Sequence, residues 1–127
     1  MIGEISNPEL VRAYYSFDPK LDGISLHEIS VNRDGPTLTI RFDLTDFPDK
    51  PPEKWHPAYN TAQMTLSLFG IEGLSLSGFK DTEIGNLHLT QNKNKIDFLF
   101  KSNTCELAGR CSFIAVEKIT AYQNTES

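Results

Sequence analysis

The chain has 127 residues, 39% of them hydrophobic and 23% charged, with a formal net charge of −5. That length buries one core and not two, so residues 1–127 read as a single domain, and the composition is too apolar for a disordered chain. Six basic and ten acidic residues lie up to Asn60 against six and seven after it, with no Lys/Arg cluster, which argues against a nucleic-acid partner.

Met1 to Ser6 is short, carries Glu4 and lacks an apolar run, so it does not read as a signal peptide. No apolar stretch approaches the roughly 20 residues that span a bilayer. The expectation is a soluble, cytoplasmic protein with no membrane partner, in which Cys105 and Cys111 are two reduced, packed thiols.

Ser6-Asn7-Pro8-Glu9 reads as a helix start, with Ser6 as N-cap, Glu9 at the capping-box position and Pro8 in the first turn. The predicted helix covers about Asn7 to Tyr15, and Leu10, Val11, Tyr14 and Tyr15 form one apolar stripe that packs on a sheet. Asp18, Pro19, Asp22 and Gly23 then break it. The sheet runs from about Ile24 to Tyr122.

Ile24 and Leu26 share one parity and Ile29 and Val31 the other, a slip that predicts a β-bulge near His27 and Glu28. Arg33-Asp34-Gly35-Pro36 is the turn, Asp-Gly supplying positive φ and Pro36 opening the next strand. From Thr37 to Leu44 the alternation is clean. Leu38, Ile40, Phe42 and Leu44 face the core, while Thr37, Thr39, Arg41 and Asp43 face away.

Thr45 to Asn60 contains Pro48, Pro51, Pro52 and Pro57, which predicts an extended loop pinned by Phe47 and Trp55. Thr61 to Phe69, then Leu74 to about Phe79, Ile84 to Gln91 and a strand carrying Ile96, Phe98 and Phe100 continue the sheet, with Leu74 and Leu76 inward. Asn103 to Gly109 reads as a turn, and Arg110 to Tyr122 as one long last strand covered on both faces around Phe113 to Val116. Together these predict an α+β, mostly β fold: an antiparallel curled sheet or sandwich of about seven strands with one N-terminal helix.

No catalytic constellation is visible. His27, His56 and His88 lie in three different elements without metal-ligand spacing, and His88 reads as a surface residue. No nucleophile elbow and no phosphate-cradling glycine pattern occurs, so no enzyme, cofactor or metal is expected. Gly35, Gly70 and Gly78 read as backbone-conformation glycines. Asp43, Asp46, Asp49 and Glu53, interleaved with Lys50 and Lys54, are solvated surface or an acidic contact patch for a basic partner. Trp55 is a loop anchor or an interface hot spot, and the residues leave both open.

The segment LHEISVNRDGPTLTIRFDL, followed by FPDKPPEKW, MTLSLFGIEGLSLSGF and a closing ITAY, resembles the immunity protein 50 family of bacterial polymorphic toxin systems. The likeness covers about Leu21 to Tyr122, with Phe79 where members often carry a tryptophan. It implies a small cytoplasmic protein that neutralises a cognate toxin domain encoded beside it, and it brings no list of contact residues. The contact residues expected from this sequence are Arg41, Asp43, Asp46, Asp49, Glu53 and Trp55, with Thr37 and Thr39 on the same outward row. Other classes consistent with the pattern are a small-molecule carrier or enzyme using a curled interior lined by Phe42, Phe98, Phe100 and Phe113, and a scaffolding subunit that forms a homo-oligomer.

Overall fold

The computed structural model describes residues 1–81 and 83–125. After a 3-10 turn at Ile2–Glu4 and helix α1 (Pro8–Arg12) come strands β1 (Ile24–Asn32), β2 (Thr37–Asp43), β3 (Thr61–Phe69), β4 (Glu72–Ser77), β5 (Glu83–Asn92), β6 (Lys95–Lys101), β7 (Glu106–Cys111) and β8 (Phe113–Tyr122). They form one unclosed antiparallel sheet in the order β4-β7-β6-β5-β1-β2-β3-β8. The architecture is mostly β, as the alternation predicts, with eight strands where the pattern indicated about seven. Inward residues of both ends of the sheet belong to one apolar cluster, so the sheet curls around a shared core.

Strands β1, β2 and β3 carry the central register. Leu38, Ile40 and Phe42 stand opposite Leu68, Leu66 and Met64, and all six are buried. The bulge falls between Leu26 and Glu28, so the residues before and after it keep their apolar side chains on the core face. The turn differs in detail from the expectation: Pro36 lies within it, β2 begins at Thr37, and of its residues only Gly35 has positive φ, at 58°. The Pro36 carbonyl has another task, accepting the N–H groups of Gly70 and Ile71, both at 3.0 Å.

The turn expected from Asn103 to Gly109 is shorter, and the predicted long last strand is two strands. Gly109 misleads because it sits inside β7, where an added Cβ would stand 2.7 Å from the Phe98 ring; the glycine gives that ring its space. Ser112 alone separates β7 from β8, and Gly70 and Ile71 alone separate β3 from β4. Because β3 pairs with β8 and β4 with β7, one two-stranded ribbon runs through both and bends at this corner. The Ser112 N–H donates to the Phe69 carbonyl at 2.7 Å. Gly70, at φ 71°, leaves the space into which the Ser112 side chain fits.

Phe113 does not lie under a second layer as expected. It is 48% exposed and stacks on Phe69 with ring centroids 4.7 Å apart, while Ile114 and Val116 are buried. On β4, Leu74 is half-buried but Leu76 is exposed, because an edge strand has a neighbour on one side only.

The helix is shorter than predicted and Ser6 is not its cap. Ser6 lies at a bend, its N–H donating to the Ile114 carbonyl at 2.8 Å, and Ile5, which is extended, bridges Ile114 in parallel. Asn7 becomes the N-cap residue, but its amide turns to β8, where Nδ2 donates to the Val116 carbonyl and Oδ1 accepts the Val116 N–H, both at 2.9 Å. The N-terminal segment thus closes the outer edge of β8, which would otherwise present unpaired backbone groups. Five helical residues are too few to be stable alone; buried Val11, and Tyr15 just beyond the helix, fasten the segment to the core.

Between β2 and β3 the chain forms neither strand nor helix, as its prolines predict, but it is folded into bends and turns and not extended: the Trp55 N–H donates to the Pro52 carbonyl at 3.1 Å and the Tyr59 N–H to the His56 carbonyl at 3.0 Å, and aromatics pin it. Trp55 packs against Tyr14 at 5.6 Å and Phe47 at 6.0 Å, and is only partly exposed, which is the anchor arrangement. The Lys50 N–H donates to the Tyr14 carbonyl at 2.9 Å and the Tyr15 hydroxyl to the Asp46 carbonyl at 2.7 Å.

Candidate functional site

The face of β1, β2, β3 and β8 turned away from the core is polar, and strand register places its residues in rows. Ser25, Asp43, Gln63 and Thr120 form one row across the four strands; Glu28, Arg41, Thr65 and Lys118 form the next. Side chains directly opposite on one face approach to about 5 Å at Cβ. A continuous mesh follows. Arg41 donates through Nε to Glu28 at 2.9 Å and through a terminal nitrogen to the Gln63 Oε1 at 3.1 Å. Gln63 in turn donates to Asp43 at 3.0 Å.

Asp43 is the centre of this mesh. It is 8% exposed although it lies on the outward face. Besides Gln63 it accepts His27 Nε2 at 2.9 Å and the Tyr122 hydroxyl. His27 is available because it occupies the bulge in β1, where the extra residue is free of the strict alternation. Burial alone would push the Asp43 carboxyl up, but hydrogen bonds from Tyr122, Gln63 and His27, together with the His27 charge, outweigh it and hold the carboxyl below its ordinary value. Two rows from Asp43, Thr39 and Ser67 share a hydrogen bond of 3.2 Å.

Of the residues expected to make contacts, Arg41 and Asp43 are brought together here. The loop residues are grouped elsewhere. Asp46 accepts the Lys20 N–H at 3.0 Å, and Asp49 takes both the N–H and the hydroxyl of Ser16, so these carboxylates tie the loop to the segment after α1. Those bonds from Ser16 hold the Asp49 carboxyl below the usual range. Glu53 is exposed and Trp55 half-buried. Four members of the mesh, His27, Glu28, Gln63 and Tyr122, are not among the contact residues expected from the sequence: His27 and Glu28 are placed by the bulge in the β1–β2 hairpin, Gln63 by register across the loop of 17 residues from Leu44 to Asn60, and Tyr122 by the pairing of β8 with β3.

The mesh fixes rotamers before any partner arrives, which lowers the entropy a partner must overcome on docking. Among the described residues, no group of three or more His, Cys, Asp or Glu is placed to hold a metal ion, and no helix is long and apolar enough to cross a membrane. Phe42, Phe98 and Phe100 are buried in the packed core while Phe113 is on the outer face, so these four do not line one interior space. The cysteines are free and buried, with burial pushing the Cys111 thiol up to about 11.

Compared with known families, residues 7–122 match the sequence model of the family described as immunity protein 50. No curated protein and no solved structure matches the chain.

Proposed function

The chain belongs to the immunity protein 50 family, and on that premise we propose that it binds and neutralises a cognate polymorphic toxin domain in the cytoplasm of the producing bacterium. It acts as a single domain by occluding the toxin, not by chemistry of its own. The observation that carries the reading is the family match across residues 7–122; the pre-set polar face of β1, β2, β3 and β8 supports it. The contact residues are Arg41 and Asp43 on the sheet face and, grouped separately on the loop, Asp46, Asp49, Glu53 and Trp55. The net charge of −5 steers a basic toxin surface toward it.

The test is coexpression with each toxin domain encoded next to the gene. Rescue of growth, with a complex that copurifies, is the expected result. Failure of both with every neighbouring toxin candidate overturns the reading.

A further inference from the structure

The bulge in β1 has a second consequence, at the strand edge turned toward β5. Strand β1 pairs with β2 as far as Asn32, but with β5 only at Ile24, Ser25 and Leu26. Beyond the bulge, alternate residues of β1 turn their N–H and C=O groups toward the side that β5 has left. Among the described residues, no strand pairs with that edge. Val31 marks the opening: it stands opposite the fully buried Leu38, yet it is 56% exposed.

At the base of the open edge lies a cavity of about 130 Å³. Leu26, Ile29, Phe79 and Cys105 wall it with His27, and Glu28, Asp81 and Glu83 rim it against Lys80; Glu28 is already paired with Arg41, so Asp81 and Glu83 carry the excess of negative charge over Lys80. This volume is well below the roughly 300–1,000 Å³ of small-molecule sites, and holds the equivalent of about four waters at roughly 30 Å³ each. It admits one side chain. Apolar walls suit an aliphatic stem, the excess of carboxylates suits a cationic head, and the 69% exposed Phe79 offers a ring face to that cation. Glu83 is held ionised by the hydroxyls of Thr104 and Ser102.

We propose that this cavity is a socket for one arginine or lysine of the toxin, carried on an extended segment that pairs with the open edge of β1. The proposal rests on the immunity reading above and gives it a specific point of attachment. Strand addition supplies backbone bonds that are indifferent to sequence, and the socket supplies selectivity for a basic residue.

Calorimetric titration with the purified toxin domain encoded beside the gene tests it. Asp81→Lys and Phe79→Ala, both at exposed positions, are each expected to weaken binding at least tenfold with the melting temperature unchanged, and Asp81→Lys to reduce the salt dependence. Binding by both variants within twofold of the wild type overturns the socket and leaves the immunity reading standing. If the wild-type protein binds no neighbouring toxin, the immunity reading falls and the socket is decided by NMR titration with N-acetyl-arginine methylamide against the leucine analogue. Arginine-selective shifts at Leu26 to Ile29 and Phe79 to Asp81 support it; equal or absent shifts overturn it.

Discussion

The carboxylate of Asp43, at the end of β2, accepts the hydroxyl of Tyr122, at the end of β8, across 79 residues of sequence. The two strands are not neighbours, since β3 lies between them. The tyrosine therefore reaches over β3, and the same carboxylate also holds Gln63 of that intervening strand. With His27 of β1, also on this carboxylate, one side chain fastens four strands together on the outer face.

That arrangement makes Asp43 a source of acid lability. Its carboxyl is held below the ordinary value in the folded chain, so the stabilisation is complete above the unfolded value of about 3.9 and is lost as pH falls through the lower folded one. Asp43→Ala should cost about 1–3 kcal/mol at neutral pH, because Gln63 and Tyr122 lose their acceptor. Urea titrations at a series of pH values check both points. A variant as acid-sensitive as the wild type would assign the lability to other carboxylates.

Asn7 is expected to matter more than its place in a five-residue helix would indicate. Asn7→Ala removes two bonds to Val116 and reopens the β8 edge, a loss of about 1–3 kcal/mol. Asn7→Asp keeps only the acceptor and should fall between. Thermal melts rank the three proteins, and amide exchange at Val116 should accelerate in the alanine variant.

The strands were legible in the sequence wherever one face is buried and the other wet. Leu38, Ile40 and Phe42 announced β2, and the parity slip between Leu26 and Ile29 announced the bulge. Gly109 and Ser6 were misread for a common reason: each is placed by a residue far along the chain, Phe98 for the glycine and Ile114 for the serine. Local rules assign a glycine to a turn and a serine to a cap when no distant partner is visible. The mesh was half legible for the same cause. Alternation put Arg41 and Asp43 on one face, but nothing local says that Gln63 and Tyr122 stand beside them.

The corner at Gly70 allows a double-mutant cycle. Gly70→Ala places a Cβ 2.4 Å from the Ser112 Oγ at a positive φ, so it should destabilise by more than the roughly 1–2 kcal/mol of left-handed backbone alone. Adding Ser112→Gly should relieve the clash and leave the backbone cost. Denaturation of the four proteins measures the coupling; strict additivity would mean the serine swings aside.

Loop carboxylates should separate into two kinds. Asp49→Ala releases Ser16 and should lower the melting temperature. Glu53→Lys, at an exposed position, should leave stability within about 0.5 kcal/mol and weaken association with the toxin. Melting and calorimetry on both variants separate the effect on stability, expected only for Asp49→Ala, from the effect on association.

Cys105 and Cys111 should be silent to a thiol reagent at pH 8 in the folded protein and react fully in denaturant. The native reaction rate then reports how often the core opens.

The bond between the N-terminal segment and β8 also bears on synthesis. Ile5, Ser6 and Asn7 leave the ribosome first, yet their partners Ile114 and Val116 are more than a hundred residues behind. Tyr122 reaches Asp43 only when 79 further residues have emerged. Such long-range closure folds slowly by comparison with helical proteins. A nascent chain therefore cannot present a finished outer face until Tyr122 has left the ribosome.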